Sequence, residues 1–201
     1  MNDEIIKKLV ADGMLKTERI IEAFRKIDRA DFVVDEYRGE AYGDYPLPIG
    51  YGQTISQPST VAFMFELLQP QEGEKILDVG SGSAWTTALL AEIVGPGGRV
   101  FGLELVPELV KFGSENLSKY NFSHAEVRQA SDVLGLPKEA PFDKVLVSAA
   151  GEDLPQELIG QVKIGGRMVI PVQNSILKID KISDAQTKSE EFSGFVFVPL
   201  K

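Results

Sequence analysis

Apolar positions along the chain first predict two short helices, at 3–11 and 17–27. In the second, Ile20, Ile21, Phe24 and Ile27 recur at helical spacing behind Thr17, a residue suited to an N-cap. No period is legible from Ala30 to about Ser56, which predicts a loop; residues 58–68 then read as a helix with Pro58 in its first turn. From Lys75 onward short apolar runs alternate with amphipathic stretches. Strands are predicted at 75–79, 99–104, 125–129, 144–148 and 167–172, and helices at 84–94, 107–120 and 154–162. Such alternation belongs to an open, mostly parallel sheet with helices on both faces. Two further β-like runs, 176–182 and 192–198, flank a polar stretch, 183–191, and are expected to close the sheet at one edge. The expected architecture is α/β, Rossmann-like and seven-stranded, with an N-terminal helical extension. One domain is expected over 1–201, made of a covering part (1–70), a ligand-binding core (71–172) and a closing strand pair (173–201).

Within the aperiodic stretch, 44–59 reads Asp-Tyr-Pro-Leu-Pro-Ile-Gly-Tyr-Gly-Gln-Thr-Ile-Ser-Gln-Pro-Ser. Pro46 and Pro48 fix φ and withhold N–H donors, so neither a helix interior nor a central strand fits. Gly50 and Gly52 allow sharp turns or close approach. Gln53, Thr54 and Ser56 supply neutral hydrogen-bonding groups with no strong base among them. A structured loop of this kind, just ahead of a glycine-rich turn, is suited to cover a ligand and grip a peptide backbone. Ser56 has a competing structural role, because it or Gln57 could cap the helix that starts at Pro58.

The glycine turn follows the first strand of the alternation, Ile76-Leu-Asp-Val-Gly-Ser-Gly-Ser-Ala-Trp85. Gly80 and Gly82 permit a tight reversal and leave room for a ligand at the strand's carboxyl end, with Asp78 nearby. Glu104 ends the next strand, where an acid accepts hydrogen bonds from ribose hydroxyls; Leu105 follows it. An acid there also serves nicotinamide dinucleotides, so the fold alone does not choose. The third glycine of the dinucleotide pattern is replaced by Trp85, whose indole is too bulky for close helix–strand–diphosphate packing. Ser83 completes the turn, and Ala84 is acceptable there only at negative φ. Asp132 and Val133 follow the third strand at the same carboxyl edge, with the acid placed to meet an adenine ring.

Composition narrows the chemistry. The chain has no cysteine, which removes disulfides, thiolate nucleophiles and cysteine-bound metal or iron–sulfur centres. His124 reads as a surface or edge histidine without a catalytic role, and no metal site is assigned. A net charge of −9 does not suit a protein that coats nucleic acid. No apolar run approaches membrane-spanning length, and the first residues place acids ahead of any apolar stretch, unlike a secretory signal. Cytoplasm is the expected compartment and a monomer the expected state.

The words Pro-Leu-Pro-Ile-Gly at 46–50 and Gly-Gln-Thr-Ile-Ser-Gln-Pro at 52–58, in this order, resemble the signature of the protein-L-isoaspartate O-methyltransferases. Similar matches run from Arg29-Ala-Asp-Phe-Val33 through Ser148-Ala-Ala150 to Phe197-Val-Pro-Leu200, nearly the whole chain. The resemblance implies a methyltransferase fold and S-adenosyl-L-methionine as cofactor. It also implies methylation of the α-carboxylate of L-isoaspartyl residues, with D-aspartyl residues as an extension, in damaged proteins or peptides. By the same resemblance Ser56 contacts or steers the substrate carboxylate, Pro48, Ile49 and Gly50 belong to the substrate side, and Gln53, Thr54 and Ile55 close over cofactor and peptide. The chain departs from the family at Ala84-Trp85, at Ser131-Asp132-Val133 where a Gly-Asp-Gly is usual, and at Gln173 in place of a common glycine. Two alternatives therefore stay open: a carboxyl methyltransferase for a dedicated peptide aspartate, and a cofactor-binding module without catalysis.

Overall fold

The computed structural model describes residues 3–200; Met1, Asn2 and Lys201 lie outside it, and with them the first two residues of the N-terminal reading and the end of the expected domain. Helices α1 (Asp3–Ala11) and α2 (Glu18–Lys26) come first, then two 3-10 turns (Arg29–Asp31 and Asp35–Glu40) and a small antiparallel hairpin of β1 (Leu47–Gly50) and β2 (Gln53–Ile55). After α3 (Pro58–Leu68) the chain alternates β3 (Lys75–Val79), α4 (Trp85–Val94), β4 (Arg99–Glu104), α5 (Pro107–Ser118), β5 (Ala125–Gln129), β6 (Phe142–Val147) and α6 (Gln156–Gln161). It ends with β7 (Val162–Val172), β8 (Ser175–Ser183) and β9 (Gln186–Ser193).

The main sheet has seven strands in the order β5-β4-β3-β6-β7-β8-β9. The first five of these pair in parallel, and β8 and β9 add antiparallel. Strand order reverses between β3 and β6: the chain leaves β3 toward β4 and β5, then returns to β3's other side. That reversal opens a crevice beyond the carboxyl ends of the strands, where ligands of open α/β sheets bind. The central strands β3 and β6 carry apolar runs because both faces are covered; Ile76, Leu77, Val145, Leu146 and Val147 are buried. On one face α2, α3 and α4 meet through Phe24, whose ring stands edge-on to Phe65 at 6.1 Å and to Trp85 at 5.7 Å.

Four local expectations are corrected. The edge strand is the polar stretch itself, 186–193, and not 192–198. Its hydrogen bonds come from backbone, its side chains are mostly exposed, and charged residues such as Lys188, Glu190 and Glu191 guard the open edge against further pairing. Residues 194–200 leave the sheet, carrying Phe195 onto Phe63 at 5.2 Å. The sixth helix is one and a half turns, because Val162 already belongs to β7. His124 is buried, with Nε2 at 3.0 Å from the carbonyl oxygen of Ala91. Thr17 does take the N-cap position of α2, but its hydroxyl donates to Glu66 and accepts no helix N–H.

Candidate active site

The crevice holds a cavity of about 730 Å3, within the range of small-molecule and cofactor sites. Its base is the turn after β3. Gly80 and Gly82 have φ of 78° and 52°, a region glycine enters without strain. Ile49 of β1 covers Gly82 so closely that a Cβ there would lie 3.2 Å from its Cδ1. Helix α5 presses on the other side, where a Cβ on Gly113 would come within 2.9 Å of the Gly82 carbonyl oxygen. Ala84 has φ 71°, against the negative value its methyl group favours. The left-handed conformation costs roughly 1–2 kcal/mol, part of which burial of the methyl, at roughly 0.8 kcal/mol, offsets.

Glu104 is the anchor of this turn. One carboxylate oxygen accepts from the Gly82 N–H at 2.8 Å and the other from the Val106 N–H at 2.9 Å. The side chain is 6% exposed, and each oxygen keeps acceptor capacity on the cavity side. Asp78 lies beneath the turn, outside the cavity lining. Its Oδ2 accepts from the hydroxyls of Thr86 and Thr87, each at 2.7 Å, while Oδ1 is buried without a partner among the described residues. Burial pushes its carboxyl up to about 6, the Thr hydroxyls pull against that, and the nearby Glu104 charge adds to it.

Of the residues expected at the site, Gln53, Thr54, Ile55, Ser56, Gly80, Gly82, Ser83, Glu104, Leu105, Asp132 and Val133 all line the cavity. Pro48, Ile49, Gly50 and Asp78 do not. Pro48 and Gly50 face solvent on β1, and Ile49 is spent on covering Gly82. The Oγ of Ser56 makes no hydrogen bond among the described residues, so its capping role is overturned. Asp44 caps α3 instead, its Oδ1 accepting from the Ser59 N–H at 2.9 Å. The Asp132 segment is held by Gln161, which accepts from Leu136 N–H at 2.7 Å and donates to the Leu134 carbonyl at 2.9 Å.

Other residues complete the lining. Tyr51, at the hairpin tip, is 61% exposed with φ 55°. Trp85 forms part of the wall while its ring packs on Phe24. The end of the chain returns to the crevice: Ala150 donates to the Val198 carbonyl and Leu200 to the Ala150 carbonyl, both at 2.8 Å, placing Val198, Pro199 and Leu200 in the wall. The matches at Ser148-Ala-Ala150 and Phe197-Val-Pro-Leu200 were the available signal for this region; no local chemistry marked the tail as part of the site. The ionisable groups lining the cavity are three carboxylates, Glu104, Asp132 and Glu152, and the Tyr51 phenol; no Lys or Arg among the described residues takes part.

A mostly parallel sheet with a glycine turn, an acid closing the next strand and a covering hairpin at the switch point define the Rossmann-like class of ligand-binding folds to which methyltransferases belong. A Plasmodium falciparum chain assigned as a protein-L-isoaspartate O-methyltransferase, crystallised with S-adenosyl-L-homocysteine, shares this fold with a TM-score of 0.87 at 23% identity, covering 98% of this chain and 97% of that one. The family model for protein-L-isoaspartate(D-aspartate) O-methyltransferase matches residues 1–201. The protein-L-isoaspartate O-methyltransferase of Aeropyrum pernix is 44% identical over 98% of this chain and 77% of its own length. That of Methanopyrus kandleri is 41% identical over 98% and 90%. The chain belongs to the protein-L-isoaspartate(D-aspartate) O-methyltransferase family.

Proposed function

We propose that this chain transfers a methyl group from S-adenosylmethionine to the α-carboxylate of L-isoaspartyl residues in damaged proteins, and so starts their repair. The observation that carries the reading is a Glu104-anchored cavity with Ser56 Oγ uncommitted at its rim. The cavity suits this cofactor and not a dinucleotide: its charged lining is anionic, which favours a cationic sulfonium and disfavours a diphosphate. Bound there, the cofactor supplies an electrophilic methyl group. Glu104 would take the ribose hydroxyls on the acceptor capacity its backbone bonds leave free. Asp132, Leu105 and Val133 would meet the adenine, Gly80, Gly82 and Ser83 the remaining backbone-facing edge, and Gln53, Thr54 and Ile55 would close from above.

An isoaspartyl α-carboxylate is ionised at neutral pH, so its oxygen attacks without a general base. That matches a rim with no histidine or cysteine. What remains for the protein is orientation, which is worth roughly 7–11 kcal/mol when nucleophile and reacting carbon are aligned. Ser56 would donate its O–H to the substrate carboxylate and fix that line of approach. The next residue's backbone nitrogen then closes on the ester carbonyl and expels methanol without help, and water opens the resulting succinimide, returning part of the material to normal aspartate. A single functional domain of cover, core and closing strands, acting as a monomer, is part of the same proposal.

The test is methyl release on an isoaspartyl peptide and on its normal aspartyl isomer. The two carboxylates have similar pKa values, so selectivity must come from backbone placement. A rate on the isoaspartyl isomer far above that on the aspartyl one is expected; equal rates would refute repair and favour a methyltransferase for another carboxylate. Binding of S-adenosylhomocysteine with no methylation of either would leave a binding module. Ser56→Ala should lower turnover roughly tenfold or more, each factor of ten being 1.4 kcal/mol of transition-state stabilisation. Cofactor affinity should stay near that of the parent.

A further inference from the structure

Arg29 is completely buried, at 0% exposed, yet its hydrogen bonds go to backbone carbonyls and not to a carboxylate. Nη1 donates to Ala41 at 2.7 Å and to Gly43 at 3.4 Å; Nη2 donates to Tyr45 at 3.1 Å and to Ser56 at 3.0 Å. All four acceptors belong to the segment 41–56. Tyr45 precedes β1 and Ser56 follows β2, so one nitrogen bridges both strands at the open end of the hairpin. A hairpin of four and three residues is marginal without outside support. Its far half, Gln53 to Ser56, lines the cavity.

The guanidinium is itself fixed from two sides. Its carbon lies 5.4 Å from the centre of the Trp85 ring, which belongs to the cavity wall at the start of α4. Its backbone sits in the Arg29–Asp31 turn, tied to the end of α5 by Tyr120, which accepts from the Asp28 N–H at 2.9 Å and donates to Asp31 at 2.8 Å. Burying a cation among carbonyls is costly, and desolvation holds its pKa down to about 10. A planar fork with several donors serves four separated carbonyls; a lysine ammonium, with three donors on one atom, does not.

We propose that Arg29 is a positioning residue for methyl transfer: through the carbonyls of Tyr45 and Ser56 it clamps the β1–β2 hairpin and sets where Ser56 Oγ and Gln53–Ile55 stand against the cavity. The inference rests on the reading of Ser56 above. Arg29→Lys keeps the charge and breaks the fan. In the folded variant, amide exchange over 44–57 should quicken tenfold or more while β3 and β4 keep parental protection. At saturating cofactor and isoaspartyl peptide, kcat per folded molecule should fall at least tenfold. A role confined to stability would instead quicken exchange across the whole molecule and leave kcat per folded molecule unchanged; that result, or a kcat within twofold of the parent, overturns the proposal. Arg29→Gln, with one planar amide, is read in the same way should Arg29→Lys not fold. Normal turnover in Ser56→Ala would sink the Ser56 reading alone, because exchange and kcat in the Arg29 variant are measured without it.

Discussion

Glu104 couples folding to ligand binding, and the two contributions separate by substitution. Its oxygens satisfy the N–H groups of Gly82 and Val106, one in the turn after β3 and one just ahead of α5. Hydrogen bonds to a charged acceptor are each worth about 1.5–3 kcal/mol, and a buried N–H left unpaired costs about 1–3 kcal/mol. Glu104→Gln keeps one acceptor oxygen and turns an amide N–H₂ toward the other donor. It should lose about 1–3 kcal/mol of stability with no ligand present. Glu104→Ala loses both bonds and should cost about 2–6 kcal/mol by the same count. Urea unfolding of the ligand-free protein measures this as a lower midpoint at unchanged slope. Calorimetry with S-adenosylhomocysteine then measures what is left for the ligand. The Gln variant should bind at least tenfold more weakly, equivalent to 1.4 kcal/mol, because the turn is no longer held and one ribose acceptor is gone. An unchanged urea midpoint in Glu104→Gln would show that the two backbone bonds hold nothing. Unchanged affinity in a folded variant would remove Glu104 from the ligand site.

Three further outcomes test single features. Asp78 titrates near 6 in the fold against 3.8 ordinarily, because burial favours the protonated form. Stability should therefore fall as pH rises from about 4 to about 6, by about 3 kcal/mol in total, and Asp78→Asn should flatten that slope in urea titrations across the window; a parallel pH profile for both proteins would refute it. Gln173 opens the β7–β8 turn at φ 52°, a position that suits glycine. Relief of roughly 1–2 kcal/mol of strain, less about 0.4–1 kcal/mol of chain entropy, should make Gln173→Gly about 0.5–1 kcal/mol more stable, and a lower melting temperature would contradict this. Asp44→Ala should cost about 1 kcal/mol through the lost cap on α3, whereas Ser56→Ala should melt like the parent; the reverse order would return the cap to Ser56.

What was legible in the sequence was whatever repeats or is forced. Apolar runs bounded by helical periods revealed the parallel strands at 75–79 and 99–104 to the residue, because a strand buried on both faces has no other way to be written. The glycine turn and the acid at 104 were legible because a tight reversal and a ribose each narrow the choice of residue. The edge strand β9 was not, because its side chains are mostly exposed and carry no apolar signature; its pairing is backbone, and its Lys and Glu side chains look like a loop. The same reason hid Arg29. Side chains that act on other side chains leave a complementary pair in the sequence, an acid for a base or a ring for a ring. Arg29 acts on the carbonyls of Ala41, Gly43, Tyr45 and Ser56, and a carbonyl is present at every position whatever the side chain. For this interaction the side chains at those four positions do not matter, and only its buried end, the guanidinium, is written in a particular residue.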